Sequence, residues 1–137
     1  MEKRYSAFRQ IDFKLAINVM LALLMAIILF HILVLFQLVP WQMVWGGRLD
    51  NLPEMRLFEI ISITINVFIA IVIATKGGYV RAILPAKAIS LALYIFVVLF
   101  ILNTLGNIFS NSLLEAIIFT PVTLLSAVLC YRIAIEK

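Results

Sequence analysis

The chain has 137 residues, of which 65% are hydrophobic and 13% charged, and its net charge is +4. Water-soluble domains carry roughly 25% charged residues, so this chain lacks the polar surface of a soluble enzyme. Its basic excess forms no patch interleaved with aromatics, which argues against nucleic acid as a partner, and its single cysteine, Cys130, excludes an intramolecular disulfide and paired-thiol redox chemistry.

The first long apolar run follows the basic arm of Lys3, Arg4, Arg9 and Lys14 and predicts a helix over residues 15–39. It is much longer than the roughly 7–15-residue core of a secretory signal, and no small-residue cleavage site follows it, so it reads as a retained span. Next comes a loop with two tryptophans and a glycine pair, Pro40 to Asn51. Asn51-Leu52-Pro53-Glu54 then supplies a cap, an early proline and a Glu three residues on, predicting a second helix over 54–75 that closes at Lys76-Gly77-Gly78.

Pro85 introduces a third helix over 86–108, and a fourth follows over 112–133. Pro121 lies inside the fourth and should free the carbonyl of Ile117, with nearby threonine hydroxyls as substitute donors. Each segment has close to the ~20 residues that cross ~30 Å of hydrocarbon. The expected fold is all-α, an integral membrane four-helix bundle with short loops, and residues 1–137 form a single membrane domain. Ala22 with Ala26, and Thr120, Thr123, Ala127 and Cys130, read as small-residue seams for helix packing.

Charge sets the orientation. Lys76, Arg81 and Lys87 lie between the second and third helices with no acid among them, and both termini are basic. In the first connection Arg48 and Arg56 are balanced by Asp50 and Glu54, and the third connection has no cation. Lysine and arginine in short loops stay cytoplasmic, so both termini are expected inside. Compactness and short loops suit a bacterial cytoplasmic membrane.

Polar side chains within the spans crowd toward the outer half. They are His31 and Gln37; Glu59, Ser62 and Asn66; Asn103, Thr104 and Asn107; and Glu115 and Thr120. Glu59, Ser62 and Asn66 share one helical stripe, and Asn103 lies one turn from Asn107. Amides and carboxylates facing lipid cost a few kcal/mol, so these stripes are expected to converge on an outward-facing polar cavity closed below by aliphatic residues. Glu59 needs a cation or several donors, and Arg48 and Arg56 are the expected cations. Glu115 opens the fourth helix, where a carboxylate complements the positive helix end.

The candidate ligand-binding set is therefore His31, Trp41, Trp45, Arg48, Asp50, Arg56, Glu59, Asn66, Asn103, Asn107 and Glu115, with the tryptophan loop as a lid. No HxxxH or CxxC spacing points to a metal, and no cofactor motif is present. Three functions compete. The favoured one is binding or transport of a small amphipathic or lipid-like ligand, with transport by so short a chain requiring a homodimer. The second is a membrane enzyme acting on a lipid or isoprenoid, with Glu59, Glu115 or His31 as acid and base. The third is an accessory subunit packed against a larger membrane complex. Membrane lipids are partners in every case.

Overall fold

The computed structural model describes residues 7–137; Lys3 and Arg4 of the basic arm lie outside them. Four helices carry the fold, in the order α1 (Phe13–Leu35), α2 (Leu52–Lys76), α3 (Ala86–Ile108) and α4 (Thr120–Ala134). A π-helical turn over Glu115–Phe119 leads directly into α4, and there is no strand among the described residues. With that turn included in the fourth, each is long and apolar enough to cross a membrane. The chain is an all-α four-helix bundle.

Local chemistry sets the boundaries. The Asp12 carboxylate accepts the Leu15 N–H at 2.8 Å and caps α1, and Asn51 does the same for Glu54 N–H at 2.9 Å on α2. The Glu54 carboxylate reaches back to the Asp50 N–H at 2.9 Å, completing a reciprocal cap. At the far end of α2, Gly77 passes so close to α1 that an added Cβ would lie 2.8 Å from Ile17 Cγ2, and Gly78 takes φ +78°. Two adjacent glycines thus do different things: one permits contact between helices, the other turns the chain.

α1 ends four residues earlier than hydropathy predicts. Leu38 and Gln37 donate to the carbonyls of Leu33 and Val34, both at 2.8 Å, and Gln37 adopts φ +60°. This is a Schellman ending with glutamine where glycine is usual. Gln37 therefore belongs to the loop, and the apolar Leu38 and Val39 only resemble a helical continuation.

The fourth helix also departs from expectation. Proline at 121 cannot donate, and its ring crowds the carbonyl four residues back. The backbone widens just before it, so that Thr120 N–H reaches the Glu115 carbonyl five residues behind. The Thr123 hydroxyl donates to the carbonyls of Phe119 (2.8 Å) and Thr120 (3.2 Å), not to that of Ile117, and the Thr120 hydroxyl is buried without a partner among the described residues.

α1 packs along α2 and α4, and α3 packs along α4, whereas α2 and α3 share little contact. The main core lies toward the end of the bundle that holds the described part of the N-terminal arm and the C-terminus. There Ile17, Met20, Leu24, Ile73, Leu93, Cys130 and Ile133 are fully buried. Polar clasps close this end: Arg132, only 4% exposed, donates through Nε to Ile11 O (2.7 Å) and through its guanidinium to Glu136 (2.8 Å), and Lys14 donates to Gly77 O (2.7 Å). Thr123, Ala127 and Cys130 form a buried seam as expected. Ala22 and Ala26 do not, because both lie on the exposed face of α1.

Candidate functional site

Near the core end, α2 and α3 meet through an edge-on contact of Phe68 and Phe96, with ring centroids 5.9 Å apart. Toward the tryptophan-loop end they separate around a cavity of about 580 Å³. That volume lies within the range of sites for drug-sized ligands. Ile61, Ile65, Leu102, Asn103 and Gly106 line it yet are exposed, so the cavity is a cleft that opens sideways between α2 and α3.

The wall opposite this opening is built around Glu59. This residue has 0% exposure, and both of its oxygens are engaged: Oε2 lies 2.6 Å from His31 Nδ1, and Oε1 accepts the Trp45 indole N–H at 2.8 Å. His31 comes from α1 one turn below its end, and Trp45 comes from the loop, where it packs on Phe58 at 4.9 Å between ring centroids. Glu59 thus pins a helix and a loop to α2 and holds the two rings that face the cleft, while standing behind the wall itself. With Nδ1 committed to the carboxylate, Nε2 is the ring nitrogen left to the cleft.

The sequence-level expectation that Arg48 or Arg56 partners Glu59 is therefore incorrect. Two ring nitrogens held in packed aromatic surroundings satisfy the carboxylate, and both arginines remain exposed. Arg48 still lines the cleft. Its side chain folds over Gly46, with Nε 3.3 Å from where a Cβ on that glycine would lie, and Gly46 itself has φ +68°. The positive φ favours glycine there, and a Cβ would oblige the Arg48 side chain to shift by a few tenths of an ångström.

A second carboxylate fastens the loop from above. Glu115 Oε2 accepts the Gly46 N–H at 2.8 Å and the Ser110 hydroxyl, while the Ser112 hydroxyl donates to the Met43 carbonyl. The two short 3₁₀ turns Trp41–Met43 and Trp45–Gly47 are thereby sewn to the connection between α3 and α4. Glu115 is a cross-loop clasp at the π turn, which goes beyond the helix-end role expected for it.

The remaining expected residues divide cleanly. Asn66, Asn103 and Asn107 line the cleft together with Ser62, and Asn107 donates to the Thr123 hydroxyl at 3.3 Å. Trp41, Asp50 and Arg56 do not line it. Trp41 packs beside Val34, Val44 and Met55 in a small separate cluster, and Asp50 and Arg56 are exposed at the start of α2. All three lie at the correct end of the bundle, but Trp41 is taken up by its own cluster, Asp50 stands in the loop before the Asn51 cap, and only Arg56 is on α2, on a face away from the cleft.

Ser110 and Phe119 line the cleft without having been singled out, although the polar run Ser110-Asn111-Ser112 opposite the tryptophan loop was a usable signal. No cluster of three metal-ligating side chains exists among the described residues. No known protein family, characterised protein or solved structure matches this chain.

Proposed function

We propose that this protein binds, and presents or carries, a small amphipathic or lipid-like ligand in the cleft between α2 and α3. One observation carries this reading: the charged groups of the cleft gather at one end, apolar side chains dominate the other with only the neutral Ser62, Asn66, Asn103 and Thr123 among them, and the cleft opens toward the flank of the bundle. His31, Arg48, Asn107, Ser110 and Glu115 gather near the loop, and Ile27, Ile65, Ile69, Leu99 and Phe100 form the deeper walls. A ligand with a polar head and an apolar tail matches that gradient. The charge pattern of the loops favours an outer-leaflet position for the polar end.

Tryptophan fluorescence tests the proposal, because Trp45 lines the cleft and Trp41 does not. In phosphatidylcholine vesicles, a chain-brominated single-tailed amphiphile should quench Trp45 saturably in a Trp41→Phe protein. It should quench Trp41 only in proportion to its membrane density in a Trp45→Phe protein. Proportional quenching of both tryptophans refutes the reading and leaves the cleft to a helix of a partner chain, the accessory-subunit alternative.

A second reading draws on the ring held by Glu59. A histidine whose Nδ1 is anchored on a buried carboxylate presents Nε2 in a fixed direction, the arrangement that general acid–base chemistry uses. In that reading the protein transforms a lipid in the cleft. His31→Gln would then abolish lipid turnover, followed by mass spectrometry, while leaving amphiphile binding within about twofold.

A further inference from the structure

Resting on the ligand-binding reading above, the polar groups around the cleft identify which head group it accepts. Both oxygens of Glu59 are occupied, by His31 and Trp45. Glu115 receives two donors on Oε2, the Gly46 N–H and the Ser110 hydroxyl. The Thr123 hydroxyl receives Asn107 and Thr104. Both oxygens of Glu59 and one of Glu115 are thus matched by the protein's own donors.

Among the described residues, the one cation of the cleft is not matched by an acid. Arg48 forms no salt bridge among the described residues, where the pairs are His31 with Glu59 and Arg132 with Glu136. Its guanidinium offers five N–H groups in a planar fork. Asn103 lines the cleft, is exposed, and adds an amide without a hydrogen bond to another described residue. A guanidinium beside a hydrocarbon-walled cleft calls for an anion, and the fork matches phosphate or carboxylate in a bidentate manner. Gly46 suits this arrangement, because a Cβ at position 46 would lie 3.3 Å from Arg48 Nε and the Arg48 side chain would have to shift by a few tenths of an ångström.

We infer that the cleft takes a single-tailed amphiphile with an anionic head, its phosphate or carboxylate held by Arg48 and its tail lying between α2 and α3. On α2 the wall runs from Ile61 to Ile69, roughly 12 Å at 1.5 Å per residue, with Ile61, Ile65 and Ile69 offering apolar contact and Ser62 and Asn66 set among them, the Asn66 amide donating to Ser62 O at 2.8 Å. Arg56 is the internal control. It is an exposed arginine at the same end of the bundle, so bulk attraction of anions to the loops acts on it equally, but it does not line the cleft.

The test uses the full chain as Trp41→Phe in phosphatidylcholine vesicles, with Trp45 quenching as readout and dodecyl amphiphiles brominated on the chain carbons next to the head, which differ only in head group. The phosphate and the carboxylate should bind about tenfold more tightly than the maltoside, a difference of ~1.4 kcal/mol, and the trimethylammonium most weakly. Arg48→Gln should remove the anion preference, Arg48→Lys should retain part of it, and Arg56→Gln should leave it intact. Inorganic phosphate should not displace the alkyl phosphate at comparable concentration; displacement would mean that the site holds a free anion and would overturn the amphiphile. Equal affinity for all heads, a preference for the cation, or equal losses in Arg48→Gln and Arg56→Gln would overturn the inference while leaving saturable binding in place. Absence of saturable quenching by every probe would remove the underlying reading as well.

Discussion

Replacing Glu59 by leucine tests the architecture of the cleft wall most directly. The substitution nearly conserves volume but withdraws the acceptor from two donors at once, the Trp45 indole N–H at 2.8 Å and the ring nitrogen of His31 at 2.6 Å. Two hydrogen bonds of average strength between membrane helices would account for only ~1 kcal/mol. Two orphaned buried donors would cost up to ~6 kcal/mol. The side chain of His31 is 18% exposed and can turn part of its polarity to the cleft, so the expected loss is about 2–3 kcal/mol, dominated by Trp45. Glu59→Gln is the matched control. Its carbonyl accepts the indole and its amide donates to the imidazole in the other tautomer, so it should cost less than ~1 kcal/mol.

Cys130 supplies the assay. It is the chain's only cysteine and has 0% exposure, so a thiol-reactive fluorophore labels it when the bundle opens. When closing outpaces labelling, the rate follows the open population, and ~2 kcal/mol corresponds to roughly a 30-fold increase. Labelling of Glu59→Leu at the wild-type rate would refute the argument and assign the wall to aromatic packing alone. Equal acceleration by Glu59→Gln would show that the charge, rather than the acceptor count, holds the three elements together.

Two further outcomes follow from the same geometry. Glu115→Ala frees the Gly46 N–H and the Ser110 hydroxyl, so hydrogen exchange at Gly46 should accelerate about tenfold, as expected for losing ~1.4 kcal/mol of a charge-assisted bond. Core amides of α1 should be unchanged, and uniform acceleration would show that Glu115 supports the whole bundle. Thr104→Val removes a buried hydroxyl that donates to Phe100 O at 2.7 Å and Thr123 at 2.9 Å. A loss of ~0.6 kcal/mol should raise Cys130 labelling about threefold, and a tenfold or greater rise would mean that the Thr104–Thr123–Asn107 group acts as a cooperative network.

The helices were legible because hydrocarbon leaves few alternatives: four apolar runs with caps at Asn51 and a glycine pair at 77–78 admit little else. The early end of α1 was not, since the sequence shows glutamine where the left-handed turn falls, and only Pro40 nearby marks the break. Polar convergence was legible from spacing on α2 and α3, because Ser62, Asn66, Asn103 and Asn107 lie on stripes that a straight helix keeps aligned. Which groups pair across the bundle was not. Charge led from Glu59 to arginine, yet loop geometry delivers an indole and α1 an imidazole, and neither follows from one-dimensional spacing. Trp41, Asp50 and Arg56 show the same limit, since proximity in sequence fixes depth but not direction.

If the cleft binds an amphiphile as proposed, the sideways aperture between α2 and α3 changes what an affinity would mean. On the proposed reading, a molecule arriving through it would first dissolve in the bilayer, so occupancy would be governed by mole fraction among lipids rather than by molarity in buffer. At ~0.8 kcal/mol per methylene, each added carbon enriches an amphiphile in the leaflet about fourfold. Across a homologous series, apparent binding would strengthen steeply with chain length while every contact with Ile65, Leu99 or Phe100 stayed the same.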